Sequence, residues 1–105
     1  MKFIDVEHET IHKVGNYSET FVVSAKCTPT EEPGVHDINI VVKCKKRNRR
    51  RKHSGQIEIK DPVRAIDDVK EYMSCGGIVT DMLDEISEAL LEDFPEIYPE
   101  IDFDE

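Results

Sequence analysis

The apolar residues change their period once along the chain, and this limits the folds open to it. From residue 4 to residue 59 they recur at every second position. Ile4, Val6, Thr10 and Val14 alternate with charge, as do Phe21, Val23, Ala25 and Cys27, then Ile38, Ile40, Val42 and Cys44, and finally Ile57 and Ile59. A period of two puts one set of side chains on one face of a strand. Gly15-Asn16 separates the first two runs as a two-residue hairpin signal, and Thr28 to Gly34 is turn chemistry. From Asp61-Pro62 the spacing becomes three and four: Val63, Ile66, Val69 and Met73, then Val79, Leu83, Ile86, Leu90 and Phe94, with Gly76-Gly77 between. Asp before Pro starts a helix and Gly ends one. The chain is therefore expected to be an α+β domain. A four-stranded antiparallel meander sheet is followed by an αα-hairpin packed on one face, and an acidic C-terminal tail follows. Residues 1–94 make the domain and 95–105 the tail, in which Pro-Glu-Ile recurs.

Charge is distributed as unevenly as apolarity. Lys43 to Lys52 (KCKKRNRRRK) holds eight of the fourteen Lys and Arg and no acid. Glu71 to Glu105 holds twelve Asp and Glu and no base. The whole chain carries −9, and the body without Lys43 to Lys52 carries −17. Such a body repels duplex DNA at long range, so contact with a polyanion would have to come through the basic run alone. Lys45 to His53 are expected at the tip of the connection before the fourth strand. Lys45, Lys46, Arg47, Arg49, Arg50, Arg51 and Lys52 are its polyanion-binding candidates. No aromatic residue interleaves them, so backbone contact with little sequence preference is the expected mode. On the second helix Asp84, Glu85, Glu88 and Glu92 form an acidic face suited to a basic protein groove, and Ile97, Tyr98, Ile101 and Phe103 of the tail add apolar anchors. Glu92 and Asp93 fall in the last helical turn, the negative end of the dipole, where each costs a few tenths of a kcal/mol.

The expected function follows from this separation. It is a small acidic, non-enzymatic binding protein that docks electrostatically on a protein partner through its acidic helix and tail, as a nucleic-acid mimic or inhibitor. The alternative is polyanion or nucleic-acid binding through the basic hairpin. Opposite blocks on one chain also suit self-association. No apolar run reaches the ~18 residues of a membrane span, and Met1 to Glu7 lacks a signal-peptide core, so a cytoplasmic location is expected. The three cysteines, Cys27, Cys44 and Cys75, form no close pair and fit reduced thiols. No cofactor is expected.

Two short strings carry chemistry of their own. His8-Glu9-Thr10-Ile11-His12 with Gly15 resembles the H-E-x-x-H-x-x-G of metzincin metallopeptidases. The resemblance implies zinc held by His8 and His12, with Glu9 activating water, and it requires a helix so that the two histidines share a face. Ser18 stands where the family places its third ligand, and the alternation around His8 predicts a strand instead. Cys27-Thr-Pro-Thr-Glu-Glu-Pro33 faintly resembles the Cys-Pro-x-Thr-Gly-Gln-Pro segment of T-fold nitrile reductases, which would imply that Cys27 is a nucleophile. Cys27, Thr30 and Pro33 coincide with that segment; the Glu-Ser that would hold the substrate stands here as His53-Ser54.

Overall fold

The computed structural model describes residues 3–15, 17–74 and 77–93. Four strands, β1 (Ile4–Val14), β2 (Tyr17–Pro29), β3 (Val35–Cys44) and β4 (Arg50–Glu58), pair antiparallel in the order β1-β2-β3-β4. A 3₁₀ turn (Pro62–Arg64) leads into α1 (Ala65–Ser74) and then α2 (Ile78–Asp93), and both helices lie on one face of the meander. Among the described residues no helix is long and apolar enough to cross a membrane. The tail expected over 95–105, with Cys75, Gly76 and Phe94, lies outside the described residues.

The alternation sets the core directly. Val6, Val14, Phe21, Val23, Ala25, Cys27, Ile38, Ile40, Val42 and Cys44 are buried on the helix side. The registers Val6↔Ala25↔Ile40 and Phe21↔Cys44 bring them side by side. Val69 and Met73 of α1 and Met82, Leu83, Ile86 and Leu90 of α2 close over them. Each large side chain buried in this way contributes about 1.5–3 kcal/mol. The β1–β2 turn closes with Val14 opposite Tyr17, and Gly15 takes φ 60°, a conformation that costs glycine little. Ile59, one residue past β4, stays in the core because its N–H donates to the Gly34 carbonyl at 2.7 Å.

Two sequence expectations are corrected. The basic run is not all connection: β4 begins at Arg50, so Arg50 to His53 are strand residues and the turn is confined to 45–49. Charged side chains carry no hydrophobic alternation to announce a strand, and here backbone pairing Val42↔Arg51 and Ile40↔His53 decides. In the first helix, Val63 is 92% exposed and Ile66 51% exposed. Asp61 caps the 3₁₀ turn by accepting from the Val63 N–H at 3.0 Å. Val69 and Met73 of the expected stripe are buried, and at the start of the helix Ala65 faces the sheet in place of Val63 and Ile66.

Gly55 sits on the helix side of β4, opposite Ile38, where Tyr72 of α1 comes down onto the strand. A methyl group there would lie 2.5 Å from Tyr72 Oη, with the ring carbon Cζ at 3.7 Å. Gly55→Ala should therefore cost about 1–3 kcal/mol of stability in urea unfolding. The same change in a Tyr72→Phe background should be nearly neutral, because the atom it meets is gone. Equal costs in both backgrounds would show that the close approach is not what limits position 55.

Candidate functional site

The pleat of β4 divides the basic run between two environments. Arg51 and His53 point to the helix side, and Arg50 and Lys52 to the open face. Just before the strand, Arg49 also turns under the helix. Its Nε and Nη2 donate to Asp93 Oδ2 at 3.0 and 2.7 Å. Arg51 Nε lies 3.4 Å from Glu85 Oε1, and His12 Nε2 of β1 lies 3.1 Å from Asp84 Oδ1. Arg49, Arg51 and His12 thus reach α2 carboxylates across the sheet–helix seam. All six groups keep some solvent access, so each pair contributes under about 1 kcal/mol. Asp93, at the unfavourable end of the helix dipole, is relieved by Arg49.

On the open face the cations are left with one another. Lys43 and Arg50 are directly opposite on β3 and β4, and Lys52 lies two residues along β4, opposite Val41. All three are exposed, and among the described residues no carboxylate comes within 4 Å of them. Like charges facing across a strand pair are destabilising. Lys45 instead reaches Glu9 of β1, Nζ to Oε2 at 3.0 Å. Lys46 is exposed in the connection, whereas Arg47 is half-buried and engaged by its neighbours. The open sides of β2, β3 and β4 carry no aromatic ring, so this face offers bases no stacking surface.

Of the four acids proposed for a partner on α2, Asp84 and Glu85 are the pair already met by His12 and Arg51. Glu88 and Glu92 are exposed and have no cation within 4 Å among the described residues. They are spaced i,i+4, on one helical face, and repel each other by a few tenths of a kcal/mol. With Arg51, Glu85 and Ala89 they border a shallow depression of about 250 Å³. Ile97, Tyr98, Ile101 and Phe103 lie outside the described residues.

The H-E-x-x-H string runs along β1, not along a helix. Four residues of strand put the His8 and His12 backbones about 13 Å apart. Glu9 projects to the opposite face, where it meets Lys45. Among the described residues no three His, Cys, Asp or Glu come together as a metal would need. Cys27 is fully buried on β2. Burial pushes its thiol pKa up, and the nearby Asp5 carboxylate adds to the effect. A nucleophilic cysteine needs the reverse.

Two features escape a linear reading. Glu19 is buried beside Cys44, whose thiol points to its Oε1 at 4.0 Å. Its place at an inward position of β2 was a usable signal. The pairings of Arg49, Arg51 and Lys45 join positions 34 to 44 residues apart, and no local pattern carries them. The chain matches no family model, no curated protein and no solved structure.

Native protein should leave Cys27 and Cys44 unmodified by iodoacetamide at neutral pH, and denaturant should expose both, as peptide mapping by mass spectrometry would read. The raised Cys27 pKa favours the neutral thiol in the folded state. Its stabilising share is complete below the unfolded thiol's pKa of about 8.5 and is lost as pH climbs through the raised native value. Rapid alkylation of Cys27 in the native state would contradict this placement.

Proposed function

We propose that the chain is a small non-enzymatic binding protein that docks the acidic side of α2 on a basic protein surface. The observation that carries this is the uncompensated pair Glu88 and Glu92. Glu85 and Asp93 around it each have an arginine from the sheet side and Asp84 has the His12 imidazole, and these two have no such partner among the described residues. A cationic groove would remove their repulsion and relieve Glu92 at the helix C-terminus. The fixed pairs hold α2 against β4 and so present the two carboxylates on a rigid element. A groove that ordinarily takes nucleic acid is the matching class of target, since it supplies cations at close spacing and the net −9 of the chain steers toward it.

A second reading rests on a different observation. Lys43 and Arg50 face each other across β3 and β4, and a polyanion on the open face would neutralise them. Phosphate binding there would be backbone-directed and steeply salt-dependent. The −17 body works against it at long range.

Affinity capture from host extract with wild-type chain and with Glu88→Gln/Glu92→Gln separates the two. The wild type should retain a basic protein that elutes with salt and is displaced by duplex oligonucleotide. The neutralised pair should retain roughly tenfold less of it. Equal capture by both proteins, or capture that nuclease treatment abolishes, would overturn the α2 reading.

A further inference from the structure

The open face of the sheet is charged in a self-complementary way. Across it the registers define two rows: Glu9–Val22–Lys43–Arg50 and Glu7–Ser24–Val41–Lys52. Each row is acidic at the β1 edge and basic at the β4 edge, with Val22 and Lys43 between in the first and Ser24 and Val41 in the second; the adjoining row, Asp5–Lys26–Asn39–Ser54, has its base beside the acid, and Glu9 also meets Lys45 of its own chain. A two-fold axis parallel to the strands, set between two such sheets, maps β1 of one copy over β4 of the other and keeps every row level. Glu9 then lies over Arg50 of the second copy and Glu7 over its Lys52, and the same two contacts recur at the other edge. A two-fold axis across the strands would instead stack acids on acids.

We propose that a second copy of this chain docks face to face on the open sheet by the first of these operations. Isologous contacts of this kind use one patch twice and close without forming a filament. Packed sheets stand about 10 Å apart and are turned by about 30°, which displaces the facing edges by about one residue, within reach of Arg and Lys side chains. Val22 and Val41, half-buried, and Ile11, 71% exposed, supply apolar contact between the charged edges. Strand spacing and rise give a face of about 19 by 26 Å, so about 500 Å² per copy. That is near the lower bound for a specific interface, and the dimer is accordingly weak and salt-sensitive. The helices turn outward, so this docking leaves Glu88 and Glu92 accessible and stands apart from the α2 reading.

Two charge-reversed variants test the geometry by sedimentation. One is Glu7→Lys/Glu9→Lys; the other is Arg50→Glu/Lys52→Glu. The wild type should dimerise at about 0.05 M salt and dissociate toward monomer at about 0.5 M. Each variant alone should be monomeric, its self-association weakened by roughly tenfold or more. Mixed in equal amounts they should form a heterodimer, because the two basic edges of the first variant then meet the two acidic edges of the second. Circular dichroism spectra and urea midpoints close to wild type would establish that both variants fold. A wild type that is monomeric at low salt, a reversed variant that dimerises alone, or folded variants that ignore each other would overturn the proposal. So would a monomeric wild type whose Lys43, Arg50 and Lys52 bind a single-stranded oligonucleotide, which would assign the face to a polyanion.

Discussion

Successive side chains of a strand leave on opposite sides, and along β4 this rule meets a run of cations. A strand with charge on both faces has no hydrophobic reason to join a sheet. It joins here because each face offers the charge something different. The helix side offers the carboxylates of α2, so Arg51, with Arg49 just before the strand, gains counter-charges that limit the cost of partial burial. The open side offers water to Arg50 and Lys52. β4 is thus held by backbone pairing to β3 and by Ile57 in the core, and its charges are tolerated, not solicited. The same geometry ties α2 to the strand. It also explains why the acid-rich helix, which has no base of its own to offset its face, lies where it does.

Elements whose own pattern agreed with their environment were legible in the sequence. The three long strands followed from alternation, the first turn from Gly15-Asn16, and α2 from the stripe Leu83, Ile86 and Leu90. The start of the helical region at Asp61-Pro62 was also legible, because capping is local chemistry. What failed was decided elsewhere. β4 reaches back to Arg50 because β3 pairs with it. Val63 points to solvent because the chain enters α1 through a 3₁₀ turn, and the buried stripe, with Val69 and Met73 as expected, starts from Ala65 and not from Val63 and Ile66. The position of Gly55 records the approach of Tyr72, a residue seventeen positions away. For the candidate site, the sequence identified the two charged blocks but not their division. Glu88 and Glu92 differ from Asp84 and Glu85 in their neighbours in space, and nothing in the local sequence marks that difference.

The fold therefore keeps two like-charge pairs that it does not neutralise, one on each side. Glu88 and Glu92 lie beside the α2–β4 seam on the helix side of the sheet, and Lys43 and Arg50 lie on its open side. Among the described residues no ion pair joins the two within one chain. Each lowers the stability of the isolated molecule by a small amount and makes a contact of opposite sign worth more than it would be for a neutral surface. Such pairs are weak as stability devices and effective as recognition devices, since opposed charge governs encounter rate and choice of partner more than raw affinity.

Register on the open face comes from the same alternation. Its β1 edge carries Asp5, Glu7 and Glu9, then Ile11 and Lys13, and its β4 edge carries Arg50 and Lys52, then Ser54, Gln56 and Glu58. The level alignment gives four charge pairs, two at each edge. A shift of two residues along the strands moves the two edges in opposite senses. At one edge it leaves Glu9 over Lys52 and Glu7 over Ser54. At the other it leaves Glu7 over Arg50 and Asp5 over Lys52 and moves Glu9 off the end of the strand, so three pairs remain. A shift of four leaves Asp5 over Arg50 at one edge and sets Lys13 over Arg50 and Asp5 over Glu58 at the other. Any such shift also breaks the two-fold relation, which admits the level alignment alone. The charge sequence along two strands is thus enough to favour one register, even though the face has little apolar area to enforce it.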